Sequence, residues 1–358
     1  MPHADPDRRP EGTPLRRGWT TGACACAAAK AAATALLTGR FPDPVSIRLP
    51  KGQEPAFPLA LEEVGDGFAR AGIVKDAGDD PDVTHGTTVT ARVAPREAAG
   101  VAFRAGEGVG MVTKGGLPIP PGEPAINPVP RRLIEEHLAA LGAPHGWSVE
   151  IAVPGGEALA ARTWNPRLGI VGGLSILGTT GVVNPYSCAA WIHSIHRGID
   201  VARAEGLDHV LAATGSTSEA TARALHPALP LHATLDMGDF AGGLLKYLRE
   251  HPVPRLTLAG GFAKLAKLGA GALDLHSSRS RVDASWLASL APEPLSARIA
   301  ATETGAEALA LAAKAGFPLG DLVAKRARGT ALGVLRDAPV SVEVIATDRT
   351  GAIVGRAG

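Results

Sequence analysis

The stretch VKDAGDDPDVTHG, residues 74 to 86, sets four aspartates, a lysine and a histidine within thirteen positions. Three kinds of work suit such a loop. Aspartate oxygens are ligands for a hard cation, and DDPD is similar to the aspartate runs that hold Mg²⁺ on a diphosphate. His85 has a side chain that changes charge near neutral pH and could serve as a base. The aspartates could also do no more than cap and solvate a turn. A metal cage would want a second aspartate-rich run, and a phosphate site a lysine-bearing glycine loop, and the sequence offers neither. A lone histidine, for its part, is more often structural than catalytic.

A second group of residues points to a nucleoside. TGSTSE, residues 214 to 219, reads as the end of a strand and the start of a helix, whose amino end favours a negative group such as a carboxylate. Asp236 follows Gly215 by 21 positions, at the end of the next strand, where an acid commonly meets two ribose hydroxyls, and Asp239 lies close behind. Gly215, Ser216, Thr217, Asp236 and Asp239 are therefore candidate cofactor-binding residues. The bland alternative is that Ser216 or Thr217 and Asp239 are only helix caps. A nicotinamide dinucleotide would normally want the full G-x-G-x-x-G, which is missing. S-adenosylmethionine has no pyrophosphate and tolerates that absence.

Basic residues recur in the glycine-rich stretches: Arg16, Arg17, Lys75, Lys114, Arg131, Arg132, Arg167, Lys264 and Lys267. Converging, several of them would suit a substrate bearing many carboxylates, with arginine making bidentate contacts. Taken singly, each reads as a solvated surface charge.

The elements that must position these groups can be read from pattern. Thr20 or Thr21 can N-cap an alanine-rich helix running to about Leu37, whose small side chains allow close approach to another backbone. Short alternating runs between 45 and 103, among them FARAGIV and TTVTARV, read as strands with the acidic loop between two of them. A glycine-rich stretch leads to a helix from about Pro130 to Leu141 and a strand at 148 to 154. Residues 165 to 185 mix glycines with small and branched residues, either a loop of N–H groups facing an anion or a tight buried turn pair. From 207 to 261 the order is strand, helix, strand, helix, strand, which requires parallel strands with helical crossovers. A hairpin turning at 349 to 351 closes the chain. The fold class expected is α/β, α+β overall: residues 1–14 a polar, proline-rich tail expected to be disordered, 15–200 a larger mixed α+β domain, 201–290 a smaller Rossmann-like βαβαβ domain, and 291–358 helices and a hairpin packing back on the core.

At 358 residues there is ample chain for two domains. Lys plus Arg total 36 against 35 Asp plus Glu, so no whole-molecule field draws in nucleic acid or an anionic membrane. Cys24, Cys26 and Cys188 form no C-x-x-C pair and no even-numbered framework, which fits a reducing cytoplasm. LRRGWTTGACACAAAKAAATALL begins as a twin-arginine export signal does, but Lys30 interrupts the apolar run and alanine is only weakly hydrophobic.

Six blocks occur in an order that closely resembles the CbiD family: LRRGWTTGACACAAAKAA, VKDAGDDPDVTHG, GEGVGMVTKGGLPIPPGEPAINPVPRRLI, TWNPRLGIVGGLSILGTTGVVNPYS, MGDFAGGLLKYL and GFAKLAKLGAGALDLHSS. The resemblance runs from about Leu15 to the C-terminus, with Phe262 standing where a smaller or polar residue is expected. It implies transfer of a methyl from S-adenosylmethionine, a cosubstrate, to ring carbon C1 of a cobalt-containing contracted tetrapyrrole in cobalamin synthesis. No protein-bound metal is implied, since the cobalt belongs to the substrate. The acidic loop would then orient the macrocycle or handle a proton, with Asp76 and His85 the catalytic candidates. Candidate substrate contacts are Arg17, Thr20, Thr21, Lys75, Asp79, Asp80, Lys114, Arg131, Arg167, Thr179 and Thr180. A homo-oligomer and transient contacts with neighbouring pathway enzymes are further expectations. Two rivals remain at this point: a Mg²⁺-dependent transferase acting on a diphosphate, and a tetrapyrrole carrier that consumes no methyl donor.

Overall fold

The computed structural model describes residues 14–143 and 145–358. All but Pro14 of the expected 1–14 tail lies outside the described residues. The chain divides into two units. One holds the described residues up to Thr113 with Pro118–Pro166 and Ile170–Ser187; the other holds Lys114–Leu117, Arg167–Gly169 and Cys188–Gly358. Helix Cys188–Ala204 lies whole in the second unit.

The first unit is a helix laid on a sheet. Helix Thr21–Thr38 begins because Thr20 is extended and its hydroxyl accepts the Ala23 N–H at 3.2 Å. It ends at Gly39, whose φ of 76° is the left-handed turn that frees the chain to leave. By length and a mean hydropathy of 1.2 this helix could cross a membrane, but 72% of it is buried inside the protein. Its alanines lie against strands Phe68–Val74 and Thr88–Arg96, where Ala69, Ala71, Ile73, Val89, Ala91 and Val93 alternate inward. Small side chains on both surfaces let helix and sheet approach closely. The larger apolar groups, Ile73, Val89, Val93, Val149 and Ile151, each contribute roughly 1.5–3 kcal/mol on burial. Lys30 escapes the core by reaching the Ser46 carbonyl at 2.7 Å.

The sheet runs in the order Leu61–Gly65, Phe68–Val74, Thr88–Arg96, Gly146–Ala152, Val101–Ala105. Its pairs are antiparallel except the last, which is parallel. The acidic loop joins its second and third strands, as the pattern predicts.

The second unit is a doubly wound sheet. Strands Thr234–Asp236, His209–Ala213, Arg255–Gly261 and Ser341–Thr347 are parallel neighbours in that order, and Ile353–Ala357 adds an antiparallel edge. In chain order this is second, first, third, fourth, fifth, the flavodoxin-like variant of the expected architecture. The hairpin at the chain end is therefore part of the sheet, not only a layer packed on it. Helix Ser216–Leu225 covers one face, over Leu211, Ala213, Ala259 and Ile345. The register sets Ala213 beside both Asp236 and Ala259, so the loops leaving these three strands open at one edge. Winding reverses between the first and third strands, and ligands bind at such a reversal.

Toward the opposite end a polar line crosses the same sheet. Buried His209 lies 2.9 Å from the Thr257 hydroxyl, which donates to Glu343 at 2.8 Å, and Glu343 also holds His226 and Arg356. Burial first, then the His226 and Arg255 charges, push the His209 pKa below its ordinary 6.5. His193, His196 and His232 are lowered too, burial again leading. A depressed histidine binds its proton less readily in the fold than in the open chain, so the unfolded state is favoured as pH drops. Stability should thus be complete at neutral pH and decline once pH passes below 6.5. Urea midpoints taken at neutral pH and at about pH 5 read this, and His209→Gln should flatten the decline. A fold equally stable at both would contradict the assignment.

Candidate functional site

The first unit brings three distant stretches together. Gly18 and Gly78 let residues 16 to 18 run against 77 and 78. A Cβ on Gly18 would sit 2.0 Å from the Ala77 carbonyl carbon, and one on Gly78, at φ +70°, 2.2 Å from the Arg16 oxygen. Arg17 bridges to Gly78, and the Trp19 N–H reaches the Asp76 carbonyl at 2.7 Å. On the other side the strand Gly18–Trp19 pairs with Val182–Val183, and the Thr20 and Gly22 amides bond the Gly181 and Leu177 carbonyls at 3.0 Å. The glycine-rich segment and the acidic loop thereby flank the start of the alanine helix.

Each aspartate of the loop accepts from a protein donor. Asp82 takes Lys75, the Thr84 N–H at 2.8 Å and the Thr84 hydroxyl at 2.6 Å. Burial alone would raise its pKa, but the Lys75 charge and these hydrogen bonds outweigh it and the carboxyl is held low. Lys75 is only 2% exposed and is shared between Asp82 and Thr84. Asp79 accepts the Arg16 N–H at 2.6 Å, and Asp80 the Tyr186 N–H at 2.8 Å. Asp76 is gripped by both guanidinium nitrogens of Arg16 and by the Gly78 N–H. The Arg16 hydrogen bonds, then that of Gly78, hold its pKa below the usual carboxylate range. Among the described residues no three His, Cys, Asp or Glu side chains gather as metal ligands would.

His85 is 52% exposed and accepts the Ala77 N–H at Nδ1, 3.1 Å away. With that lone pair occupied, the neutral ring carries its hydrogen on Nε2, directed to donate. Arg17 and Thr179 are exposed on the neighbouring segments, and Tyr186 stands in solvent at a positive φ of 55°. Thr20 and Thr21 are buried, Thr20 as the helix cap. Thr180 folds its hydroxyl onto the Val182 backbone. Arg131 bonds the Ile126 and Pro124 carbonyls and Glu123, and lies over the Phe103 ring.

The remaining candidates fall in the second unit. Lys114 pairs with Glu205 at 2.8 Å. Arg167 makes a two-pronged bond to Glu219 at 2.9 and 3.0 Å, in the first turn of helix Ser216–Leu225. That helix starts at the carboxyl edge of the parallel sheet, with Ser216 and Thr217 exposed beside Gly215. Asp236, across the edge, accepts the Gly238 N–H at 3.2 Å through Oδ1, and burial first of all raises its pKa. Lys264 bridges the Thr214 carbonyl at 2.8 Å and Asp239 at 3.0 Å, at the reversal of winding. The structure thus gathers Gly215, Ser216, Thr217, Asp236 and Asp239 on one edge, together with Lys264 from the basic residues named in the sequence, and adds Glu219. In the first unit it gathers Arg17, Asp76, Asp79, Asp80, His85 and Thr179 with Arg16, another of those basic residues, and adds Tyr186. The PYS end of the glycine-rich block was the signal for Tyr186.

Two family models match the chain, CbiD over residues 8–185 and CbiD, C-terminal domain, over residues 274–358. The Cobalt-precorrin-5B C(1)-methyltransferase of Brucella anthropi is 62% identical over 363 residues, covering 99% of this chain and 98% of that protein. The protein of the same name from Brucella canis is 61% identical over 360 residues, 98% of each. Among solved structures, the cobalamin biosynthesis protein (cbiD) from Archaeoglobus fulgidus is 28% identical at a TM-score of 0.38, over 74% of this chain and 83% of that one. On these family matches and this near full-length identity, the chain belongs to the CbiD family.

Proposed function

We infer that this chain transfers a methyl from S-adenosylmethionine to ring carbon C1 of cobalt-precorrin-5B, giving cobalt-precorrin-6A. The observation that carries the reading is 62% identity, over 99% of the chain, to a methyltransferase of that name. The engagement of the four loop aspartates by protein donors, Asp76 and Asp79 by Arg16, Asp80 by the Tyr186 N–H and Asp82 by Lys75, speaks against a Mg²⁺–diphosphate cage. Cys24 and Cys26 are buried in the alanine helix and none of the three cysteines is paired, in keeping with a cytosolic enzyme.

The donor supplies a methyl on a sulfonium; a nucleophilic ring carbon would attack that methyl in line, forming the C–C bond as the S–CH3 bond breaks and S-adenosylhomocysteine leaves. Such a step depends on positioning and on keeping water out, so the protein's task is to hold two reactants. For the donor we assign the carboxyl edge of the second unit. Asp236 is half-buried, and Oδ2 has no hydrogen bond among the described residues, so ribose hydroxyls would restore what burial removes. The first amides of helix Ser216–Leu225 lack intrahelical acceptors and suit the amino-acid carboxylate.

For the macrocycle we assign the three-stretch site of the first unit. Its acetate and propionate arms are anions, and the donors at hand are Arg16, Arg17 and the His85 Nε2–H. Asp76, kept ionised by Arg16, is a weak base and serves to aim that guanidinium. Lys75, Asp82, Thr20, Thr21 and Arg131 we assign to holding the loops, because their polar atoms are spent on the protein itself.

Purified protein given cobalt-precorrin-5B and donor labelled in its methyl carbon should yield a product with one label, at C1 by carbon NMR. A label elsewhere, or binding without transfer, would sink the reading. The division within the loop has its own check. Asp82→Ala strands the buried Lys75 and should cost roughly 3–5 kcal/mol of unfolding free energy. Asp76→Ala removes an exposed pair and should leave stability almost unchanged while raising the KM for the tetrapyrrole severalfold. Equal destabilisation by the two would contradict the division.

A further inference from the structure

Lys264 and Asp239 meet where the winding of the parallel sheet reverses, and neither spends its full hydrogen-bonding capacity on the protein. Lys264 lies in the first turn of helix Phe262–Gly269, which follows strand Arg255–Gly261, and donates to the Thr214 carbonyl, just past strand His209–Ala213, at 2.8 Å. Its Nζ is also 3.0 Å from Oδ1 of Asp239, in the loop after strand Thr234–Asp236. An ammonium in the first turn of a helix faces the positive end of the dipole, so the helix itself gives no reason for a lysine there. On Asp239, Oδ1 is buried with no hydrogen-bond donor aligned on it, and Oδ2 has none among the described residues. The two side chains remain 35% and 22% exposed, so a ligand can reach both.

The signs of the pair decide what fits it. A simple anion would be drawn to Lys264 and repelled by Asp239, and a simple cation the reverse. A group that carries both charges a few bonds apart satisfies the two at once, because the four charges then alternate in sign. An α-amino acid is such a group, and the methyl donor ends in one. The position agrees with this. Burial first of all raises the Asp236 pKa, and the Lys264 charge is near enough to act against that rise, so the ammonium and the acid assigned to the ribose share one space. Thr214, which Lys264 holds, directly precedes Gly215 and the helix amides assigned to the carboxylate. We propose that Lys264 and Asp239 bind the zwitterionic amino-acid end of S-adenosylmethionine, the carboxylate on Lys264 and the ammonium on Asp239. The proposal rests on the donor site assigned above and adds to it the groups that tell the complete donor from a bare nucleoside.

Calorimetric titration of the full-length protein with two ligands separates the claims: S-adenosylhomocysteine, and 5′-methylthioadenosine, the same nucleoside thioether without the amino-acid end. Lys264→Met and Asp239→Asn should each weaken S-adenosylhomocysteine about tenfold or more, ~1.4 kcal/mol, and methylthioadenosine by less than about threefold. Asp236→Asn should weaken both ligands alike. Wild-type affinity for S-adenosylhomocysteine in Lys264→Met or Asp239→Asn, with loss in Asp236→Asn, overturns the amino-acid contact and leaves the donor site standing. Equal loss of both ligands in Lys264→Met and Asp239→Asn also overturns it, since the pair would then only hold the loops together. Unaltered binding of both ligands in Asp236→Asn, or no binding of either by the wild type, overturns the donor site and the amino-acid contact with it.

Discussion

The crossing of two glycines organises the first unit. Gly18 and Gly78 approach so closely that any side chain on either would overlap the other's backbone. Because they do, the segment before the alanine helix is laid along the acidic loop, and Arg16 comes to face Asp76 and Asp79. The same segment pairs on its other edge with Val182–Val183, which sets the glycine-rich loop in place. Local backbone geometry thus converts three blocks, far apart in the chain, into one surface. The charges follow from that geometry, since the exposed Arg16–Asp76 pair has too little energy of its own to bring them together.

Underneath, the loop is held by a buried ion pair. Lys75 and Asp82 exchange charge and hydrogen bonds inside the first unit, with Thr84 completing the set. A buried pair adds little net stability, but removing one partner strands the other, so it enforces one conformation of the loop. The acidic character that first attracts notice is therefore mostly internal bracing. The donors exposed beside it are Arg16, Arg17 and His85, which we propose meet a polycarboxylate.

Much of this was legible in the sequence. The alternation of strands and helices from 207 to 261 required a parallel sheet, and the position of Asp236 after Gly215 followed from it. The cap at Thr20 and the placement of the acidic loop between two strands were also readable. What could not be read is which polar residues face inward. Lys75 looks like a solvated charge until the fold buries it, and Asp80 finds its partner 106 residues away in Tyr186. Thr20 and Thr21 lie in a block that reads as binding, yet the helix they begin closes over them. The terminal hairpin has the same alternation whether it packs on a sheet or joins one, and only register with Arg255–Gly261 decides.

We propose a division of labour, with the donor on the carboxyl edge of the parallel sheet and the macrocycle on the loops of the first unit. Amide hydrogen exchange on the intact protein, with and without saturating S-adenosylhomocysteine, tests it most directly. Slowed exchange is expected in residues 214 to 219 and 234 to 240, with the acidic loop at 76 to 86 unaffected. Protection concentrated instead in the glycine-rich segment at 168 to 181, with none at Asp236, would contradict it.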